Sequence, residues 1–246
     1  LHLAAGRLRA ARHNLQAALG RFEELGEGWG AARARADLAW VHRDQERPDR
    51  ARPLLERALV DLRAQGDHLS AADAIVKLGW LDVDRGTAAE ARTRFVQALA
   101  ILRNAGRRAG ESEALTGLAV ACQDLGRWPE ARQLADQAIA LARQVGDRPR
   151  EVHALLALGA IEQASDHPRD ARATLDMARK LARDGGLPVE EARAASGLGQ
   201  LLLASGDGVG AEPMLVGALA AARRMEMPAL EAEVSSALGL CLARLG

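Results

Sequence analysis

Two tryptophans, Trp40 and Trp80, stand 40 residues apart, and so do three aspartates, Asp44, Asp84 and Asp124. An indole offers a large apolar face and one N–H, the kind of side chain that anchors an interface. Carboxylates four residues further on would orient a basic or amide-rich segment beside it. The chemistry on offer is recognition. A competing reading makes both tryptophans core residues that fill space between neighbouring helices.

Reaction chemistry is harder to find. The chain has no P-loop, no G-x-G-x-x-G after a strand, no H-E-x-x-H and no G-x-S-x-G. Gly206-Asp207-Gly208 reads as a turn between helices rather than a phosphate cradle. The histidines, His2, His13, His42, His68, His153 and His167, occupy unrelated positions, and none shares a helix face with Cys122 or Cys241. The expectation is a chain with no catalytic residues, no metal and no cofactor. The two cysteines read as small buried hydrophobes. Being far apart and outside any C-x-x-C pair, they point to a reducing, cytoplasmic setting.

Composition narrows the class. Of 246 residues, 48% are hydrophobic and 27% charged, too apolar for a disordered chain. Aromatic residues make up 2%, with no Tyr, and Ala, Leu, Arg and Glu dominate, which favours helix over sheet. Lys plus Arg and Asp plus Glu both equal 33, so the net charge is zero and no basic excess invites nucleic acid. No apolar run reaches the ~18 residues of a membrane span, and no secretory leader is present. Leu1 in place of Met points to a fragment of a longer protein.

The elements that must position the tryptophans repeat. Leu38, Leu78, Leu118, Leu158, Leu198 and Leu238 recur every 40 residues, each followed by Ala39, Gly79, Ala119, Gly159, Gly199 or Gly239. Two alanine rows keep the same step: Ala11, Ala51, Ala91, Ala131, Ala171 and Ala211, then Ala18, Ala58, Ala98, Ala138, Ala178 and Ala218. No insertion breaks the register, and a fixed period of this length is the signature of a solenoid. Each unit reads as two helices, roughly 30–45 and 49–65 in the second unit. Ala34, Leu38 and Val41 form the stripe of the first, and Leu55, Leu59 and Leu62 belong to the second. Glycines stop the second helices at Gly26, Gly66, Gly106, Gly146 and Gly186. Gly86, Gly126 and Gly206 break the first ones, with Pro48, Pro129 and Pro168 opening the next.

Glycine inside a helix costs roughly 1 kcal/mol against alanine. Four first helices carry one at the same phase, which predicts close approach of a neighbouring helix backbone there. Glu111, Glu151, Glu191 and Glu231 fall in first turns, and Arg63, Arg103, Arg143, Arg183 and Arg223 near second-helix ends, each suited to the helix dipole by ~0.3–1 kcal/mol. Arg12, Arg52, Arg92, Arg132 and Arg172 follow the first alanine row and read as a solvated face. By phase, residues 1–5 are the tail of a first helix, and the last helix, about 229–244, has no partner to cover Leu238, Leu240 and Leu242. A continuing chain or a homo-oligomer contact is expected to cover it.

Leu78-Gly79, Gly86, Ala91 and Ala98, and again Leu118-Ala119, Gly126, Ala131 and Ala138, resemble the tetratricopeptide repeat over the entire chain. Two departures stand out. The unit has 40 residues against about 34 for the common form, and the usual first-helix aromatic is replaced by His42, Asp82, Cys122, Glu162, Leu202 and Leu242. The long form is similar to repeats of large bacterial LuxR-type activators, including the maltose-regulon activator, and of antibiotic-pathway regulators. The resemblance implies one all-α, right-handed α-solenoid over 1–246, about six repeats and twelve helices plus a leading stub, with first helices lining a concave groove. Groove-facing positions are then Arg33, Trp40, Arg43 and Asp44; Asp73, Trp80 and Asp84; Glu113, Gln123 and Asp124; His153 and Gln163, with Ala36, Val76, Thr116 and Ser196 between them. The implied function is a protein-interaction scaffold that binds a peptide or partner domain, without nucleic acid or membrane. Two alternatives stay open. One is an effector-sensing or self-association arm of a bacterial transcription regulator. The other is an accessory region of a signalling protease or kinase. Peptide pheromone receptors of related architecture grip backbone amides with groove asparagines, whereas Asn14 and Asn104 fall outside the groove phases.

Overall fold

Every helix in the computed structural model begins 20 residues after the one before it. The structure describes residues 8–45, 47–225 and 227–245. Among them are twelve helices: α1 (Leu8–Glu24), α2 (Gly28–Asp44), α3 (Pro48–Ala64), α4 (His68–Asp84), α5 (Ala88–Asn104), α6 (Arg108–Asp124), α7 (Trp128–Val145), α8 (Arg148–Ala164), α9 (Pro168–Asp184), α10 (Pro188–Ala204), α11 (Gly208–Arg224) and α12 (Pro228–Leu245). No strand occurs among the described residues. The helix tail expected at residues 1–5 lies outside them. None of the described helices is long and apolar enough to cross a membrane.

The even spacing has a local cause. Helix after helix ends in a left-handed residue; at Gly146, φ is 69°, and its N–H and that of Asp147 turn back to Arg143 O and Ala142 O at 3.1 and 2.9 Å. This closes the last turn and aims the chain backwards. Asp166 takes the same conformation, with φ 62°, at the phase where Gly86, Gly126 and Gly206 stand, since a short polar side chain tolerates that region best after glycine. At the other ends, Asp67, Asp147 and Asp207 accept from the backbone N–H of Ser70, Arg150 and Gly210. Pro48, Pro168, Pro188 and Pro228 open their helices without losing a bond.

The chain divides into two compact units, residues 1–126 and 127–246. In the first unit α2 packs on α3 and α4, and α4 on α5 and α6; in the second α8 packs on α9 and α10, and α10 on α11 and α12. The leucine row and both alanine rows form the core. Ala51, Ala91, Ala131, Ala171 and Ala211 are each 0% exposed, and Leu38, Leu78, Leu118, Leu158 and Leu198 are buried.

The helical glycines are not points where backbones meet, as the sequence led one to expect. They are notches for a large side chain. A Cβ at Gly79 would stand 2.8 Å from the Phe95 ring, and one at Gly159 or Gly199 would stand 2.7 Å from Leu175 or Leu215. Phe95 is 0% exposed and presses on a second notch, Gly117, so one ring from α5 fills space in both α4 and α6. Leu175 is set between Gly159 and Gly197 in the same way. Of the four glycines at the Gly79 phase, only Gly239, on α12, faces open space.

The charge rows are tied together. Arg103, Arg143, Arg183 and Arg223 reach across the turn to Glu111, Glu151, Glu191 and Glu231 at 2.6–2.8 Å. Each such half-exposed pair contributes ~0–1 kcal/mol. The arginines after the alanine row do not all lie on a solvated face: Arg52 pairs with Asp82 at 2.5 Å and Arg132 with Glu162 at 3.2 Å, and both acids are buried. Asp82 also holds Arg94 at 2.6 Å, and Glu162 accepts from Thr174 at 2.7 Å. Thus two of the positions that lack the aromatic, in α4 and α8, carry a buried acid paired with an arginine 30 residues earlier, and a third, in α2, carries a buried polar group without that ion pair. That group is His42, 5% exposed, whose Nδ1 has no partner among the described residues. Burial, then Arg50, Arg12 and Arg47, hold its pKa below the usual histidine value. Trp128 begins α7 and is partly exposed. Trp29 lies in the first turn of α2, half exposed, donating from Nε1 to Asp67 at 2.6 Å.

Two substitutions to alanine separate the notch from simple helix propensity. Gly239→Ala meets nothing and is expected to stabilise the chain by ~0.5–1 kcal/mol. Gly117→Ala collides with Phe95 and is expected to destabilise by ~1–3 kcal/mol; urea unfolding of both variants checks the opposite signs. Acid sensitivity tests the His42 site. A base whose folded pKa is depressed gives stability that is present above its unfolded value of about 6.5 and is lost as pH falls through the folded value. His42→Leu, the residue the repeat uses at Leu202, is expected to lose less stability than the native chain when urea midpoints are followed from about pH 7.5 to about pH 5.

Candidate functional site

In the first unit α2, α4 and α6 lie side by side. Their leucine stripes face the second helices, which leaves one edge of each available to solvent. The residues at that edge were expected at five phases, and the structure sorts them. Arg33, Asp73, Asp84 and Asp124 are exposed, and Trp40, Arg43, Asp44, Trp80, Glu113 and Gln123 are half-buried. Ala36, Val76 and Thr116 are buried and do not reach the surface. The phase one residue later does: Asp37 and Lys77, which the spacing argument passed over, pair at 2.7 Å between α2 and α4. With Arg33, Ser70 and Asp73 they line a cleft of about 70 Å³.

Arg43 organises the centre of this face. Its guanidinium lies 4.4 Å from the centroid of the Trp40 ring and 5.8 Å from that of Trp80. Its Nε and Nη2 donate to the two carboxylate oxygens of Asp84 at 2.5 and 2.9 Å. One cation from α2 therefore covers both indoles and is chelated by α4. Trp80 also meets Phe95 edge to face, with centroids 5.5 Å apart. Both tryptophans are half-buried, and the Arg43 cation lies against both rings. Beyond them, partial loss of solvation pushes the Asp124 carboxyl above the ordinary aspartate range. Gln123 Oε1 is buried without a donor among the described residues. Arg33 turns the other way, stacking 4.7 Å from the Trp29 centroid.

The second unit repeats the lacing with other residues. His153 is exposed on α8, its Nε2 3.1 Å from Glu190 of α10. Burial would raise Glu190, but hydrogen bonds from His153 and its own backbone, with the charges of His153 and Arg193, hold it below the usual glutamate range. Gln163 is half-buried on the same helix. Ser196, expected at the surface, is buried and donates to Glu233 at 3.0 Å, and Gln200 donates to the same oxygen at 2.7 Å. Neighbouring first helices are joined in both units by polar rungs that span 33 to 41 residues of sequence.

Helix pairs of one length, stacked through notches and laced along the first-helix edge, define an all-α solenoid of tetratricopeptide-like repeats. Family models described as tetratricopeptide repeat match residues 31–64 and 110–184. Comparison with curated proteins gives no match. Among solved structures, the chain is similar to a Rap protein in complex with competence and sporulation factor, with a TM-score of 0.76 and 13% identity over 89% of this chain and 64% of that one. It is similar to NprR in complex with its cognate peptide NprX, with a TM-score of 0.73 and 14% identity over 94% of this chain and 66% of that one. BtubC from P. vanneervenii gives a TM-score of 0.66 and 16% identity over 89% of this chain and 92% of that one. At these identities the likeness is one of fold. The chain spans about two thirds of the Rap and NprR chains.

Proposed function

We propose that the chain is a protein-interaction scaffold whose first-helix edges receive a peptide segment or partner domain, rather than an enzyme. The observation that carries this reading is Arg43, which already occupies a small recognition site: two indole faces and a bidentate carboxylate. An arginine from a partner could make the same contacts, with Arg43 swinging out to solvent. The exchange replaces one cation–π stack and one ion pair by equivalent ones, so the partner needs further contacts to gain affinity. Asp73, Glu113 and Asp124 flank the site with negative charge, which favours a basic segment and speeds its approach. Gln123, His153 and Gln163 add hydrogen-bonding groups along the first helices of the two units.

Two of the similar solved structures hold a bound partner, one of them a cognate peptide, which supports a docking role for this architecture. The side chains for docking differ from an asparagine clamp, since Asn14 and Asn104 sit on α1 and α5. The same surface would serve the sensing or self-association arm of a bacterial transcription regulator, to whose long repeats the 40-residue unit is similar. Cys122 and Cys241 are buried outside any disulfide, which fits a reducing compartment.

Selection of peptides from a random display library on the folded chain tests the reading. The selected peptides are expected to be rich in arginine. Their affinity is expected to fall about 10-fold or more in Trp40→Ala/Trp80→Ala, a hot-spot effect, with helical circular dichroism retained. Peptides that bind the double variant as tightly as the native chain would remove the site from consideration.

A further inference from the structure

A repeat carries its own control. Where one unit departs from the rest at several positions that meet in space, the departure needs a cause. The second unit contains such a place, between α9, α10 and α11, remote in sequence from Trp40 and Trp80.

Leu19, Leu59, Leu99, Ile139 and Leu219 share one phase of the second helices, and Leu59, Leu99 and Ile139 are all buried. On α9 that phase holds Arg179. Its Nε is shut off from solvent and has no hydrogen-bond partner among the described residues. A guanidinium Nε–H shut off from water without an acceptor is costly on a residue that is only half-buried as a whole, so aliphatic packing alone does not account for it. Three neighbouring positions have lost side chains. Ile75, Leu115 and Leu155 are buried on their first helices, Arg35 and Ser235 stand at the same phase, and on α10 the position holds Ala195. Ile101, Leu141 and Leu181, with Arg21 and Asp61 at the same phase, give way to Ala221 on α11, and Arg57, Gln97, Gln137 and Met177, with Ala17 at the same phase, to Gly217. A Cβ placed on Gly217 would meet nothing within 4 Å. All four substituted positions line one hollow of about 200 Å³.

The hollow has a defined chemistry. Ala192, Pro213, Met214 and Ala218 complete an apolar wall, and Arg224 adds a second guanidinium. The acid in the wall, Glu191, is held by Arg183 at 2.8 Å. Positive charge is therefore in excess, and a guanidinium presents a fork that matches a carboxylate. The volume is below the ~300 Å³ at which drug-sized ligand sites begin, so the occupant is compact. We propose that this hollow is a binding site for a small organic anion, a carboxylate carrying a short branched aliphatic body, with Arg179 and Arg224 on the charge and the Ala195–Gly217–Ala221 wall on the aliphatic part. The site is independent of the peptide-docking reading.

Isovalerate, its uncharged counterpart 3-methylbutanol, and inorganic phosphate separate the two halves of the site when titrated into the full chain by calorimetry and ligand-observed NMR. Isovalerate is expected to bind saturably and more tightly than either of the others. Arg179→Leu restores the residue found at Leu19, Leu59, Leu99 and Leu219. It is expected to weaken isovalerate about 10-fold or more while the thermal midpoint stays level or rises. Ala195→Leu keeps the charge, fills the hollow and is expected to block binding as well. The proposal is overturned if isovalerate shows no saturable binding. It is equally overturned if phosphate or the alcohol matches isovalerate, or if both variants, folded by circular dichroism, bind it as the native chain does.

Discussion

A single aromatic ring shows what the architecture depends on. Phe95 leaves α5, enters a notch at Gly79 in α4, touches a second at Gly117 in α6 and presents its edge to Trp80. Any side chain at either glycine would displace it. Leu175 and Leu215 do the same work on Gly159 and Gly199 in the second unit. Because the knob comes from a second helix and the notches lie on first helices, the contact sets both how a pair closes and how the next pair seats on it. The glycines weaken their own helices by up to ~1 kcal/mol each, and the buried knobs more than offset this, at ~2–5 kcal/mol for a large aliphatic or aromatic side chain.

Seating the pairs in this way places first helices next to one another with the same phases facing out. That spacing is what allows Asp37 to meet Lys77, Arg43 to meet Asp84 and His153 to meet Glu190. The polar rungs follow from the packing rather than driving it, since half-exposed pairs of this kind are weak. Weak rungs can be exchanged for a partner's groups at little net cost. A surface already laced by its own side chains is therefore compatible with docking, provided the partner supplies equivalent groups.

Much of this was legible in the residues themselves. The leucine row, the alanine rows and the capping glycines gave the helix pairs and their register, because each reflects a local demand: a stripe, a tight contact or a left-handed turn. Asp166 shows the limit of that logic, since its left-handed backbone is visible only by analogy with the glycines around it. The notches were anticipated as small residues but their occupant was not, because Phe95 and Gly117 are linked only through the lateral register of α5 and α6. The ties from Arg103 to Glu111 and from Arg52 to Asp82 were hidden for the same reason. Each residue looked sufficient as a dipole partner or a solvated charge. At the candidate site, the types at Trp40, Arg43 and Asp84 were evident, whereas the stacking of Arg43 over both indoles depends on helices 40 residues apart and carries no signature in local periodicity.

Rings and branched side chains lodged against helical glycines hold the helix pairs in register. The chain has two phenylalanines, Phe22 and Phe95, and the structure sets Phe22 against Gly30 and Phe95 against Gly79 and Gly117. Nuclear Overhauser contacts from their ring protons read this directly in solution. Strong contacts from Phe95 to the α-protons of both Gly79 and Gly117, with those protons shifted upfield by the ring, are the result expected. A Phe95 ring in contact with neither glycine would contradict the stacking from which the docking edge follows.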